Sequence, residues 1–203
     1  MVTFANFSFI YHVASSIDHV YFATSRGITR FNKNENRWEQ PLTGSTGIDH
    51  RDIKRVWVDT FDEKLFVETG LGYYEYDLLF GKWFGRNELP AISNDARHVG
   101  APPVMYPPIS FNYSSEGRLF DAAGRYFDYT DVLNDNSGML WIGTWGNGAL
   151  RAGETSGIIE LMPFGLLQNR VNAIYREDSI IFAGGAYFDS YRSGISILNI
   201  ETG

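Results

Sequence analysis

The side chains best suited to metal ligation or proton transfer near neutral pH are four histidines, His12, His19, His50 and His98. Their spacing places no two of them on one element as His-x-x-x-His or a Glu-linked pair would. They read as scattered strand-surface or loop residues, and no metal is expected. An oxygen-rich run, Asn134-Asp135-Asn136-Ser137-Gly138 with Asp131 nearby, suggests calcium at first sight. Calcium takes six or more oxygens, usually with a bidentate carboxylate closing the loop. No acid occurs in the twelve residues after Asn136. Asp62-Glu63 and Glu177-Asp178 fill the same slot elsewhere, so the run reads as a recurring hairpin turn. Acids adjacent in sequence point apart and make no general acid/base pair. Gly143-Thr-Trp-Gly-Asn-Gly148 joins two strands and lacks the helix N-terminus that cradles phosphate. There is no Gly-x-Ser-x-Gly elbow, and with no cysteine there is no disulfide, thiolate site or cysteine nucleophile. No catalytic set and no cofactor emerge.

The elements that position these residues come from an internal repeat. Three segments align on a Thr/Gly turn: His19 to Asn32, Lys64 to Asp77, and Met139 to Arg151. Thr24 and Thr69, Gly27 and Gly72, and Trp38 and Trp83 share one offset of 45 residues. A weaker copy runs over Ser179 to Gly184 and resumes at Gly194 to Asn199. A period of roughly 40–45 residues is that of a four-stranded propeller blade. Each copy has an inner strand (Asp52 to Val58, Val171 to Tyr175), a polar turn and a near-continuous apolar strand. A glycine then opens the turn into the third strand. The expected fold is an all-β propeller of about four visible four-stranded blades, over 9–47, 48–88, 127–165 and 168–203 of one domain. Between the second and third markers lie 75 residues, leaving a Pro-rich insertion and an extra hairpin over 85–128, expected to run irregularly over the surface. The fourth blade lacks an outer strand, which Val2 to Phe7 supplies in a closed ring. The alternative is a larger or incomplete ring with an open edge at Ile195–Ile200.

Asp135-Asn-Ser-Gly-Met-Leu-Trp-Ile-Gly-Thr144 resembles the Asp-x-x-Gly-x-Leu-Trp-Ile-Gly-Thr repeat of two-component-regulator-type propellers. The His19 and Lys64 copies are looser, and the Ser179 copy has Gly184 in place of the threonine. The resemblance implies the propeller fold and an extracytoplasmic sensor or interaction role, periplasmic or extracellular. No kinase or anchor segment accompanies it here, so the signalling role does not carry over.

On a propeller, the turns between second and third strands gather on one rim. That logic puts Arg26, Trp145, Asn147, Tyr187, Asp189, Tyr191 and Arg192 together, with Leu71, as binding candidates for a protein or carbohydrate partner. Trp38, Trp57, Trp83 and Trp141 sit inside the repeat and are expected in the core. A net charge of −7 with no basic cluster argues against nucleic acid. No apolar run of about 18 residues crosses a membrane, and the N-terminal residues lack the pattern of a signal peptide. The function expected is a non-catalytic recognition or scaffold propeller. Two alternatives stand beside it: a propeller enzyme acting on polysaccharide (lyase or hydrolase), and a structural subunit that self-associates or pairs with a second chain through an open edge strand.

Overall fold

The apolar runs fold as strands, and among the described residues there is no helix. The computed structural model describes residues 7, 9–24, 27–42, 53–62, 64–77, 80–100, 105–165, 171–185 and 194–199. Ile10–Ser15 (β1), His19–Thr24 (β2), Gly27–Asn32 (β3) and Arg37–Trp38 (β4) form one antiparallel sheet in chain order. Ile53–Asp59 (β5), Lys64–Thr69 (β6), Gly72–Asp77 (β7) and Lys82–Arg86 (β8) form a second. Arg97–His98 (β9), Phe111–Tyr113 (β10), Leu119–Asp121 (β11), Tyr126–Asn134 (β12), Met139–Trp145 (β13), Ala149–Gly153 (β14) and Ile159–Met162 (β15) form a third. Ala173–Glu177 (β16), Ile180–Gly185 (β17) and Gly194–Asn199 (β18) make the fourth, with three strands among the described residues.

Two of the four sheets thus have the expected four strands. The third is larger because β12 is nine residues long and its outer edge takes two additions: β11 at Phe127 and β9 at Leu133 and Asn134. Val2 to Asn6, expected to complete the fourth sheet, lie outside the described residues.

The first sheet lies between the second and the third, so β2 is buried on both faces. Tyr21 and Ala23 pack on Ile53, Val56 and Val67 of the second sheet. Val20 and Phe22 pack with Leu133, Trp141 and Met162 of the third. Each fully buried Val, Ile, Leu, Phe or Met among these contributes about 1.5–3 kcal/mol. Trp83 and Trp141 are buried as expected, whereas Trp38 and Trp57 are only half-buried.

The three Thr/Gly turns share a hydrogen-bond pattern. Thr24, Thr69 and Thr144 each donate their hydroxyl across the following turn, to the carbonyls of Gly27 (2.7 Å), Gly72 (3.2 Å) and Gly148 (2.7 Å). The Thr69 hydroxyl oxygen also accepts the Leu71 N–H, and that of Thr144 accepts the Asn147 N–H, each at 3.1 Å. A buried hydroxyl is tolerated here because its bonds are made. Gly27 and Gly72 take φ of 133° and 131°, a region that only glycine enters readily.

The inner strands share a second feature. Each has one β-bulge immediately after the residue opposite the threonine: Ile10 faces Thr24, Ile53 faces Thr69, Tyr129 faces Thr144. The residues that resume pairing are His12, Arg55 and Asp131, opposite Ala23, Glu68 and Gly143. These three occupy the equivalent position in three of the sheets. In the fourth sheet Ala173 faces Gly184 and Ile174 faces Ala183, with no bulge.

Candidate functional site

Strand β1 lies against β5, β12 and β13, which brings the bulged inner strands together. A bulge re-aims the side chains that follow it. His12 from β1 and Asp131 from β12 accordingly meet, with His12 Nδ1 3.9 Å from Asp131 Oδ2. The Val13 N–H donates to the same carboxylate oxygen at 2.7 Å and fixes its orientation.

A third group arrives from the Pro-rich insertion. Most of that segment is exposed, but residues 93–99 are tied to the inner strands. Ser93 donates its N–H to Asp59 Oδ2 at 2.9 Å. The Asn94 amide donates to the carbonyls of Ser15 (2.9 Å) and Val58 (2.8 Å), clamping the ends of β1 and β5. Val99 N–H donates to the Val132 carbonyl at 2.8 Å. This threading seats β9 along β12 and places His98 Nδ1 2.8 Å from Asp131 Oδ1. The His12 and His98 rings are 4.6 Å apart between centroids, and the Trp57 ring lies 5.8 Å from that of His12. The histidines expected to be scattered therefore include two that meet. The reason is non-local: they belong to different elements joined only by strand pairing.

Electrostatics follow the burial. Burial pushes the His12 imidazole down to about 4, against the raising effect of Asp131, with His98 and Arg55 adding to the depression. The Arg55 guanidinium is drawn toward Glu68, Nη1 to Oε2 being 3.8 Å. Burial alone would raise Asp131. The hydrogen bond from His98, the neighbouring His12 and the Val13 N–H outweigh it and hold the carboxyl below the ordinary range.

Of the rim candidates, Trp145 and Asn147 are described and share the β13–β14 turn. Trp145 is 46% exposed and stands in an aromatic group with Phe9 (4.9 Å, edge-on) and Tyr11 (5.5 Å). Phe9 also forms an antiparallel bridge to Trp145, tying the residue just before β1 to the end of β13. Leu71, in the equivalent turn of the second sheet, is exposed. Arg26, Tyr187, Asp189, Tyr191 and Arg192 lie outside the described residues. Asn134 to Gly138 form a turn in which Asp135 is fully engaged. Its Oδ1 accepts from the Ser137 N–H and hydroxyl, and its Oδ2 from Trp141 Nε1 (2.7 Å) and Lys33 Nζ (3.1 Å).

The described residues form an all-β protein of several antiparallel sheets. No protein-family model matches it, and no curated protein does. Among solved structures it is similar to the extracellular domain assigned to a hybrid two-component system of B. thetaiotaomicron, at 18% identity and a TM-score of 0.34 over 93% of this chain and 27% of that one. It is also similar to PorZ, a surface component of the type-IX secretion system of Porphyromonas gingivalis, at 13% identity and a TM-score of 0.31 over 97% of this chain and 28% of that one. The computationally designed Ika4 protein is similar at 10% identity and a TM-score of 0.32, covering 97% of this chain and 94% of that one. The chain thus spans little more than a quarter of the length of the two natural proteins, and likenesses of this size assign neither family nor function.

Proposed function

We infer that the chain is a group of propeller blades serving as a non-catalytic recognition or scaffold module, with the Trp145 turn at the centre of its binding rim. The blade reading is supported by the shared threonine lock, the shared inner-strand bulge and the antiparallel order within each sheet. The observation that carries the functional reading is the Phe9–Trp145–Tyr11 group. A large aromatic ring held by two others and nearly half exposed offers an apolar platform at low entropic cost. Such a platform suits a sugar ring or an aromatic or proline side chain of a peptide. Screening the full chain on glycan and peptide arrays tests it. Binders whose signal falls in Trp145→Ala support the rim, and an array without binders, or with binders indifferent to that change, contradicts it.

A second reading rests on the fourth sheet. Ile174, Tyr175, Ile195 and Ile197 are all more than half exposed there, and β18 pairs only with β17 among the described residues. Exposed apolar strands at a sheet edge favour association. Through this sheet the chain pairs with a second copy. Light scattering across a dilution series then shows a dimer that Ile197→Glu converts to monomer, whereas a monomer at every concentration removes this reading.

A further inference from the structure

We propose that His12, His98 and Asp131 form a binding site for a divalent transition-metal ion of the zinc type. One ligand atom from each lies within 4.8 Å of the other two. Zinc bonds of about 2.0–2.1 Å in tetrahedral geometry set ligand atoms about 3.3 Å apart, so the widest separation closes by at most about 1.5 Å on binding, while the His98–Asp131 pair, now at 2.8 Å, opens slightly. The half-exposed His98 ring has the freedom to supply that movement.

Three observations distinguish this group from an ordinary His–Asp contact. First, His12 Nδ1 is shut off from solvent and has no hydrogen-bond partner. A buried acceptor left unpaired costs about 1–3 kcal/mol, which a metal ion at that lone pair removes. Second, the carboxylate already has its outer partner: the Val13 N–H holds Asp131 Oδ2 at 2.7 Å. A donor behind the carboxylate is one of the supports that orient metal ligands. Third, His12 and Asp131 stand at the same post-bulge position on two rigid strands, so the separation of these two is set by the sheets and not by loops.

The donor set selects the ion. Two imidazoles and one carboxylate suit zinc and its first-row neighbours, whereas calcium needs six or more oxygens. Three protein ligands leave a fourth position open on the exposed side, where His98 meets solvent. Binding replaces the His98–Asp131 hydrogen bond: the proton on His98 Nδ1 is exchanged for one on Nε2, with no net proton required. Arg55, the nearby cation, has Glu68 as its own counter-charge.

The test is calorimetric titration of the untagged full chain with ZnCl2, with Co2+ absorption spectra as a second readout. The expected result is one Zn2+ per chain at micromolar affinity or tighter, and visible Co2+ bands of a four- or five-coordinate site. His98→Ala and Asp131→Asn each weaken Zn2+ by at least about tenfold, the lower end of what even outer partners are worth. His98→Gln, which keeps a donor for Asp131 but no imidazole, does the same, while His19→Gln leaves affinity unchanged. A wild-type chain that takes up no Zn2+, or binding that persists in both His98 variants, overturns the site.

Discussion

The Cγ2 atom of Ile10 occupies the space that a side chain on Gly143 would need: a Cβ built there would lie 2.6 Å from it and 3.1 Å from Thr130 Oγ1. The glycine of the Ile-Gly-Thr motif thus lets β1 lie directly on β13. That contact holds the first sheet to the third and brings His12 toward Asp131.

Gly143→Ala is therefore expected to destabilise the chain by about 1–3 kcal/mol, the usual cost of overpacking a filled core. Ile10→Ala empties the same space and carries its own penalty of about 2–5 kcal/mol. The double variant should be less destabilised than the sum, because the new methyl enters the vacated volume. Urea denaturation of the four chains measures the coupling, and strict additivity would refute the contact.

The threonine lock makes a separate prediction. Thr144→Val keeps the shape but removes the donor to Gly148 and the acceptor for the Asn147 N–H. Leaving these groups without partners should cost about 1–3 kcal/mol, and Thr144→Ser should recover most of it. Denaturation midpoints report both, and a valine chain as stable as wild type would show that the lock is incidental.

Acid dependence centres on Asp135. Burial by itself would raise this carboxyl, but Ser137, Trp141 and Lys33 outweigh it and hold it below 3.8. A carboxyl depressed on folding stabilises the protein above its unfolded value, and that share is lost as pH falls through the folded value. Asp135→Asn should thus be less stable than wild type above pH of about 4, with the gap narrowing in stronger acid. Melting temperatures at pH 7, 5 and 3 check the sign, and a gap that widens in acid would reverse the assignment.

How far the fold was legible depended on the range of each signal. Thr24, Thr69 and Gly27, Gly72 announce themselves because the lock is a local event, complete within a few residues of one turn. The bulged inner strands were hidden. His12, Arg55 and Asp131 stand 12, 14 and 13 residues before their threonines, since the intervening hairpin turns differ in length, so no fixed spacing exposes their equivalence. His98 was harder still. It reaches His12 only through pairing of two residues of β9 with β12 and the bridging amide of Asn94, and a two-residue strand inside a proline-rich segment has no periodicity to read. Trp145 was legible as a turn residue, but its partners Phe9 and Tyr11, more than 130 residues away, were not.

The recognition rim is tested most directly at Trp145 itself. Indole N–H signals of the five tryptophans in the full chain can be assigned by single substitutions and followed as the strongest array binder is added. The exposed Trp145 signal should shift in proportion to binding, while those of the buried Trp83 and Trp141 stay in place. Saturable binding that leaves the Trp145 signal unmoved would contradict the proposed face.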